Sequence, residues 1–172
     1  VAPPLRSRPN LDALWEGVRD GCIDLIGSDH SPYTRAQKEA VSFTDSTFGA
    51  PGVETLLPVL YSEGAAAGRI SLDRLVQVTS EFPARVLGLR PRKGSLHPGA
   101  DADIVVIDPD GETIVRAADQ HTNSDYSLLE GETLKGRIEM TLVRGEVVVR
   151  EGALEKKPGF GHFIDRSRAG GR

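Results

Sequence analysis

An aspartate at the end of a short apolar run is the residue best placed to do chemistry in this sequence. Residues 22–28 form that run, and Asp29, His30, Ser31 and Pro32 follow it directly. A short apolar run behind a helix is typical of a strand that is buried on both faces of an α/β sheet. A carboxylate at the end of such a strand could bind a metal ion or move a proton. The spacing alone favours a plainer interpretation, in which Asp29 is a polar cap of the strand.

The other histidines and the single cysteine show no catalytic pattern. His97, His121 and His162 lack the i, i+4 spacing of a helical metal site, so we interpret them as structural or surface residues. No activating base is evident beside Cys22, and we interpret it as a small residue of the core. One cysteine cannot form an internal disulfide, which favours a reducing cytoplasm as the location.

The bulk composition excludes some classes of partner. The 172 residues carry a formal net charge of −4, which gives no electrostatic reason to bind nucleic acid or an anionic membrane. No apolar run approaches the roughly 20 residues that span a bilayer. We therefore expect neither nucleic acid nor a membrane as a partner. The chain begins with Val1 rather than methionine, which fits processing, a cut chain or a fragment.

Hydrophobic spacing predicts helices in the first half of the chain. The first helix is predicted over residues 11–20, with Asn10 as its N-cap and Gly21 at its end. Residues 33–50 lack periodicity and are predicted to be a long loop, of the kind that often carries function. Further helices are predicted over 52–67, where Pro58 should bend the helix or mark a break, from Ser71 onward, and over 83–87, which Gly88 ends.

The pattern changes from helical to strand-like at about residue 89. Strands are predicted over residues 102–108 and 112–116. Residues 140–149 are predicted to form a hairpin that turns near Arg144 and Gly145. The sequence therefore predicts a small β unit behind the helical region.

Short motifs along nearly the whole chain resemble those of the cyclic amidohydrolases, which include hydantoinases, dihydropyrimidinases, allantoinases and dihydroorotases. Each motif alone is weak, but their order and spacing argue against chance agreement. Residues 1–6, 14–15, 24–32 and 49–55 resemble allantoinases and hydantoinases. Residues 91–94 and 99–105 resemble the entry to the C-terminal β domain of the family, and residues 121–126, 130–131, 134–136, 143–145 and 157–161 resemble hydantoinases and dihydropyrimidinases.

The resemblance implies an α/β fold of which this chain holds only a part. Residues 1–88 would be the last strands and helices of a metal-dependent (β/α)8 TIM barrel. Residues 89–151 would be part of a small β-sandwich domain, and residues 152–172 an irregular tail. The resemblance also implies a homodimer or a homotetramer.

The resemblance further implies a metal-dependent hydrolase. In this family two divalent metal ions, commonly zinc, share a hydroxide that attacks a cyclic amide, and histidines and a carboxylated lysine supply most of the ligands. Asp29 matches the aspartate that binds one metal and shuttles the proton, so it is both the catalytic and the metal-binding candidate. The other ligands are not visible in this sequence, and we expect this chain alone to be inactive. The substrate would be a hydantoin, a dihydropyrimidine or a similar ureide.

Candidate substrate-binding residues follow from the same resemblance. Phe48 and Gly49 match a glycine-rich loop whose backbone groups bind the substrate ring, although hydantoinases often have asparagine and glycine there. Ala2 matches allantoinases, whereas hydantoinases often have a substrate-contacting serine at that position. His30 is interpreted as a residue that supports Asp29 or packs beside it. Tyr33 stands where many dihydroorotases carry a histidine, which weakens a dihydroorotase assignment.

Three alternatives stay open at the level of sequence. The chain could belong to an allantoinase, to a dihydroorotase-like enzyme, or to a non-catalytic assembly protein that keeps the fold without the metal ligands. A His-x-His motif, a lysine for carboxylation and two later histidines, all upstream, would separate the enzymes from the assembly protein.

Overall fold

Helices fill the first half of the chain and an antiparallel sheet fills the second. The computed structural model describes residues 4–39 and 42–165. The helical elements are α1 (Arg8–Asp20), α2 (Arg35–Lys38), α3 (Leu56–Val59) with a π-helical continuation Leu60–Ala66, α4 (Leu72–Val76) with a π-helical continuation Gln77–Glu81, and α5 (Phe82–Val86). Short 3-10 turns cover Phe43–Asp45 and Ala117–Asp119, and the strands are β1 (Ile104–Ile114), β2 (Thr133–Val143), β3 (Glu146–Arg150) and β4 (Ala153–Leu154). No helix within these described ranges is long and apolar enough to cross a membrane.

Helix α1 begins earlier than the sequence predicts. Ser7, not Asn10, is the residue before the first turn, and Pro9 lies inside that turn, where its missing N–H costs no hydrogen bond. The Asn10 side chain instead donates a hydrogen bond to the Ser7 hydroxyl oxygen at 2.9 Å. The predicted end is confirmed, because Gly21 adopts a left-handed φ of 86° directly after the helix.

The prediction that Pro58 marks a break in its helix is wrong, whereas the alternative, a bend, stays a prediction. Residues 53–55 form a turn, so α3 begins at Leu56 and Pro58 lies in its first turn. The N–H groups of Leu56 and Val59 donate to the carbonyl oxygens of Gly52 and Thr55, each at 3.0 Å, so the hydrogen-bond series continues past Pro58, which has no N–H to donate. The helical backbone therefore continues without a gap into the π-helical Leu60–Ala66.

The helices predicted from Ser71 to residue 87 form one continuous segment. It runs from Leu72 to Val86 without a gap, so the predicted division into two helices is wrong. Both predicted boundaries are confirmed. The Ser71 hydroxyl accepts the backbone N–H of Arg74 at 3.1 Å, and Gly88 follows the end with a φ of 70°.

A small apolar core joins these helices, and one arginine ties it to the segment before Asp29. The buried core residues are Val18, Leu60, Ile70, Leu75 and Val78. The guanidinium of Arg74 donates a hydrogen bond to the carbonyl oxygen of Val18 at 2.6 Å and another to that of Ile23 at 2.7 Å. Because Val18 lies in the last turn of α1, Arg74 satisfies a carbonyl that has no partner within the helix.

Residues 22–28 have no regular secondary structure, so they do not form the predicted strand. The Ile26 N–H donates to the Val78 carbonyl oxygen at 3.1 Å, and a single parallel bridge joins His30 to Ala50. A strand inside a parallel barrel needs hydrogen-bonded neighbours on both sides, and the described residues place no strand beside this segment. Cys22 is exposed just after α1, so its predicted place in the core is wrong as well.

The sheet is an antiparallel meander in the order β1–β2–β3–β4. The two strands predicted on either side of residues 109–111 are one strand, β1. Asp108 pairs with Arg137 and Glu112 pairs with Lys135, so residues 109–111 form a bulge rather than a chain reversal. The predicted end of the strand at residues 109–111 is therefore wrong. Proline, aspartate and glycine are common in turns, and here the same residue types occupy a bulge.

The predicted hairpin between β2 and β3 is confirmed. Arg144 and Gly145 both have positive φ, 52° and 82°, as the two central residues of a type I′ turn require. The sheet also extends further than expected, because β4 at Ala153–Leu154 lies within the region predicted as an irregular tail.

The sheet is fixed to the helices through β2. The Ser62 hydroxyl accepts the backbone N–H of Lys135 at 3.0 Å. Gly136 lies so close to the Tyr61 ring that a Cβ would stand 2.4 Å from a ring carbon. The predicted small β unit is thus one sheet layer packed on the π-helical Leu60–Ala66.

Candidate active site

Asp29 follows residues 22–28 and is held in an unusual backbone conformation. Its side chain is exposed and its φ is 45°, in the left-handed region that non-glycine residues rarely adopt. Two short hydrogen-bonded contacts surround it: the Ser31 hydroxyl donates to the Asp29 carbonyl oxygen, and the His30 N–H donates to the Ser28 hydroxyl oxygen, each at 3.3 Å. The Asp29 side chain is thus open to solvent.

His30 links the Asp29 turn to the glycine-rich loop over residues 47–55. Its Nδ1 accepts hydrogen bonds from the backbone N–H groups of Gly52 at 3.1 Å and Val53 at 3.3 Å. An acceptor nitrogen carries no proton, so the ring proton of the neutral histidine is on Nε2. This contact fits the interpretation of His30 as a supporting residue.

Gly49 lies directly against the Asp29 turn. It is buried, its φ is 108°, and a Cβ at this position would stand 2.3 Å from the Ser31 Cβ. The Ser31 N–H donates to the Ala50 carbonyl oxygen at 2.9 Å, which fixes the two backbones side by side. Only glycine fits this close approach, because any side chain would collide with Ser31.

The loop also has a cation that the sequence analysis did not single out. The Lys38 ammonium donates to the carbonyl oxygens of Gly49 at 2.7 Å and Thr47 at 3.2 Å. Lys38 ends the short helix α2, whose capping box at Thr34 and Gln37 holds it in place. A capping pattern around residue 34 was the signal that could have located this helix within the predicted loop.

Phe48 and Ala2 are the two other predicted substrate-binding residues. The Phe48 side chain is 39% exposed and its ring lies 5.2 Å from that of Phe43, centroid to centroid. One face of Phe48 is thus packed within the loop and part of the ring is open to solvent. Ala2 lies outside the residues that the structure describes.

A segment of the β unit reaches back to both loops beside Asp29. We call residues 121–126, between the second 3-10 turn and β2, the strap. Its contacts are with Glu54 in the glycine-rich loop and with Tyr33 and Arg35 in the chain after Asp29. His121 was predicted to be a structural or surface residue. No local sequence pattern predicts the contacts of the strap, because the contacting residues are 67 to 91 positions apart in sequence.

The described residues alone do not complete a metal site. Within 4–39 and 42–165 no group of three or more histidine, cysteine, aspartate or glutamate side chains is close enough to hold a metal ion. Protein metal sites usually need about three or four protein ligands. Asp29 could therefore serve as one ligand, with the others coming from outside the described residues.

A cleft of about 760 Å³ lies between the start of α3 and the sheet, and both Glu54 of the glycine-rich loop and His121 of the strap line it. Its walls include Val53 and Leu57 on one side and Val115 and Ile138 on the other, and Asp29 is not among them. This cleft thus borders the glycine-rich loop and the strap, but the candidate catalytic residue does not line it.

Comparison with known proteins decides the family. The model of the amidohydrolase family matches residues 2–148. The chain belongs to the amidohydrolase family. This amidohydrolase chain is 43% identical over 169 residues to the D-phenylhydantoinase of Escherichia coli O1:K1, a match that covers 96% of the chain and 37% of that protein.

Solved structures give the same result for the fold. The D-hydantoinase of Bacillus sp. AR9 superposes with a TM-score of 0.90 at 39% identity, over 95% of this chain and 36% of that one. The L-hydantoinase (dihydropyrimidinase) of Arthrobacter aurescens superposes with a TM-score of 0.88 at 38% identity, over 95% and 37%. The amidohydrolase chain thus spans about a third of these relatives and corresponds to their C-terminal portion. The predicted family and the predicted TIM-barrel fold class are confirmed.

Proposed function

We propose that this chain carries part of the active site of an enzyme that hydrolyses a ring amide, –CO–NH–, in a hydantoin, a dihydropyrimidine or a similar ureide. The observation that carries the proposal is the junction of the Asp29 turn with the glycine-rich loop through His30 and Gly49. That junction places an exposed carboxylate beside a loop of backbone donors and acceptors. The relatives named as hydantoinases supply the reaction class.

Asp29 is the proposed catalytic and metal-binding residue. When bound, two divalent metal ions, zinc in this proposal, acidify a water molecule and polarise the amide carbonyl. Asp29 accepts a proton from the water as its oxygen attacks the carbonyl carbon. The C–N bond of the ring then breaks, and Asp29 returns the proton to the leaving nitrogen. The remaining metal ligands lie outside the residues described.

The substrate ring is proposed to lie against Phe48 and Gly49. Backbone groups of the glycine-rich loop would hydrogen-bond the ring amide, and the open face of Phe48 would contact an apolar substituent. Lys38 holds the Gly49 carbonyl oxygen at 2.7 Å, so the loop backbone is fixed before a substrate arrives. Ala2 remains a proposed contact on the strength of the family resemblance alone.

The proposal is tested by a chimera in which this chain replaces the C-terminal portion of Escherichia coli D-phenylhydantoinase. With divalent metal restored, we expect hydrolysis of phenylhydantoin, hydantoin or dihydrouracil that a chelator abolishes. Asp29→Asn should reduce kcat at least about a hundredfold, because it removes a proton carrier and a charged ligand. Asp24→Asn is the matched control, since Asp24 is exposed in the same segment and should leave kcat unchanged.

The outcomes of this test separate the alternatives. Activity on allantoin or dihydroorotate in place of hydantoins would assign the chain to those enzymes. A chimera that folds and binds metal yet hydrolyses none of these compounds would contradict the enzyme proposal and favour a non-catalytic assembly protein. Equal activity of the Asp29→Asn and Asp24→Asn chimeras would contradict the role of Asp29.

We also propose a cellular setting and an organisation for the whole protein. The lone cysteine, Cys22, supports a cytoplasmic location. Exposed apolar side chains such as Leu11 and Leu14 on α1 support a homodimer or homotetramer. The change from helices to sheet supports a division into a barrel part over residues 1–88, a β-sandwich part over 89–151 and a tail over 152–172.

A further inference from the structure

The strap over residues 121–126 joins the two loops that flank the candidate catalytic aspartate. One loop is the chain directly after Asp29, represented by Tyr33 and Arg35, and the other is the glycine-rich loop, represented by Glu54. The strap belongs to the β unit and is some 70 to 90 positions away in sequence from both loops. It is thus the point where the β unit acts directly on the site.

In the contact to the glycine-rich loop, His121 binds both oxygens of the Glu54 carboxylate. The backbone N–H of His121 donates to one Glu54 oxygen at 2.8 Å, and the ring Nδ1 lies 3.0 Å from the other. Because a carboxylate only accepts, the proton of the His121 ring is on Nδ1 in this contact. Glu54 follows Gly52 and Val53, whose N–H groups bind His30. Fixing Glu54 therefore also restrains Gly52 and Val53, and through them His30, the residue beside Asp29.

The contact to the chain after Asp29 uses a buried hydroxyl and a second carboxylate. Ser124 is 6% exposed, and its Oγ lies 3.1 Å from the Tyr33 carbonyl oxygen and 3.2 Å from that of Tyr126. The Asp125 carboxylate accepts the backbone N–H of Arg35 at 2.8 Å. The Arg35 guanidinium also lies 5.2 Å from the centroid of the Tyr126 ring.

We propose that His121, Ser124 and Asp125 are positioning residues that set the distance between Asp29 and the substrate-binding loop. This inference rests on the proposed function, since it assigns those residues a role in the same reaction. Each end of the strap acts on a different half of the site. His121 acts through Glu54 on the loop that would bind substrate, and Ser124 and Asp125 act on the chain that carries Asp29.

The two ends therefore have different kinetic consequences. Loosening the glycine-rich loop weakens contacts to the bound ring in the ground state and the transition state alike, so His121→Ala should raise KM. Loosening the chain after Asp29 misplaces the proton carrier, so Asp125→Ala should lower kcat. We expect a change of about threefold to tenfold in each, since partly exposed charged contacts are modest in strength.

The first experiment needs no activity and uses the chimera described above rather than the 172-residue chain alone. Amide hydrogen exchange followed by mass spectrometry should show faster exchange of the Arg35 N–H in Asp125→Ala. Asp125→Asn should restore protection, because the asparagine side-chain oxygen accepts the same bond. His121→Ala should speed exchange at Gly52 and Val53, and His121→Asn, which keeps a side-chain N–H donor, should restore it.

The control and the contradicting results are specific. Asp119→Ala changes an exposed carboxylate just before the strap and should alter none of these rates. Amides bonded in the core helix, such as that of Leu75, report global unfolding and should stay protected in every variant. Unchanged exchange at Arg35, Gly52 and Val53, or an equal rise at Leu75, would overturn the positioning role.

The second experiment measures kcat and KM in the active chimera. A KM effect for His121→Ala and a kcat effect for Asp125→Ala, each reversed by the asparagine variant, is the expected result. Identical losses in both parameters at both positions would overturn the inference. An inactive chimera with the expected exchange pattern would count against the proposed function alone and leave the strap as the holder of both loops.

Discussion

The Nδ1 of His30 lies 3.1 Å from the backbone nitrogen of Gly52 and accepts its hydrogen bond. His30 is the neighbour of Asp29, and Gly52 belongs to the glycine-rich loop. The candidate catalytic carboxylate and the candidate substrate loop are therefore one mechanical unit, linked by a side chain rather than only by the chain between them. Substitutions at either side should affect both.

The backbone of Asp29 should respond to substitution independently of its chemistry. Its φ of 45° suits glycine, is tolerated by aspartate and asparagine, and strains alanine. We expect Asp29→Gly to retain or raise the free energy of unfolding, and Asp29→Ala to lower it by about 1 kcal/mol relative to glycine. Denaturant unfolding of the chain measures this order. An alanine variant more stable than the glycine variant would contradict the left-handed conformation.

Gly49→Ala should disrupt the site through a collision. The added Cβ would stand 2.3 Å from the Ser31 Cβ, in a backbone region unfavourable to alanine, so we expect a loss of about 2 kcal/mol or more. Gly27→Ala is the matched control, since a Cβ there meets no atom within 4 Å. Adding Ser31→Gly to Gly49→Ala should recover part of the loss, and calorimetry would detect the recovery. Additive effects of the two changes would show that no collision exists.

The ion pairs of Lys93 with Asp101 and Asp103, which lie at the junction between the helices and the sheet, should make the free energy of unfolding fall at acid pH. Hydrogen bonds, chiefly from Lys93 at 2.8 Å, hold the pKa of the Asp101 carboxyl below its ordinary value of 3.8. A depressed pKa contributes stability that is present above 3.8 and is lost as the pH falls through the folded-state value. We expect Asp101→Asn to lower stability near pH 6 and to flatten its decline below about pH 4. Urea titrations at several pH values would show both effects.

The same ion pairs should also make the free energy of unfolding fall at strongly alkaline pH. Burial lowers the pKa of Lys93, but hydrogen bonds and charge attraction from Asp101 and Asp103 together raise it above 10.5. The stability it contributes is complete below 10.5 and is lost as the pH rises through the higher folded-state value. Asp119→Asn, on an exposed carboxylate, serves as control at acid and at alkaline pH. Unchanged pH profiles in the Asp101→Asn variant would show that the junction contributes no pH dependence.

The 172-residue chain alone should neither bind a catalytic metal pair nor hydrolyse cyclic amides. One aspartate cannot replace the three or four ligands that a metal site needs. The chain should also self-associate, because apolar side chains such as Leu5, Leu11 and Leu14 are at least half exposed. Metal analysis, a hydrolysis assay and sedimentation test these points. Chelator-sensitive hydrolysis, or a sharply monomeric chain, would contradict them.

Local signals in the sequence were sufficient to predict the ends of several helices and the hairpin of the sheet. Gly21, Ser71 and Gly88 end or begin helices where predicted, because capping depends on the residue itself and its nearest neighbours. The hairpin at Arg144 and Gly145 was predictable for the same reason. The order and spacing of short motifs along the chain were sufficient to predict the family.

Features that depend on distant or absent neighbours were not predictable. Residues 22–28 have the composition of a buried strand, yet pairing needs strands that the described residues do not supply. The turn residues at 109–111 form a bulge because β2 continues past them. In the candidate site, the sequence was sufficient to propose Asp29, which stays a prediction, whereas the contacts of Lys38 and the strap depend on tertiary packing.

The strap also bears on how such proteins can exchange parts during evolution. A recombination point between residues 54 and 121 would combine the strap of one ancestor with both loops of another. Three hydrogen-bonded contacts would then have to match by chance. Crossovers before Asp29 or after Tyr126 keep both sides together, so hybrid genes from divergent relatives should remain functional mainly when they are joined outside that interval.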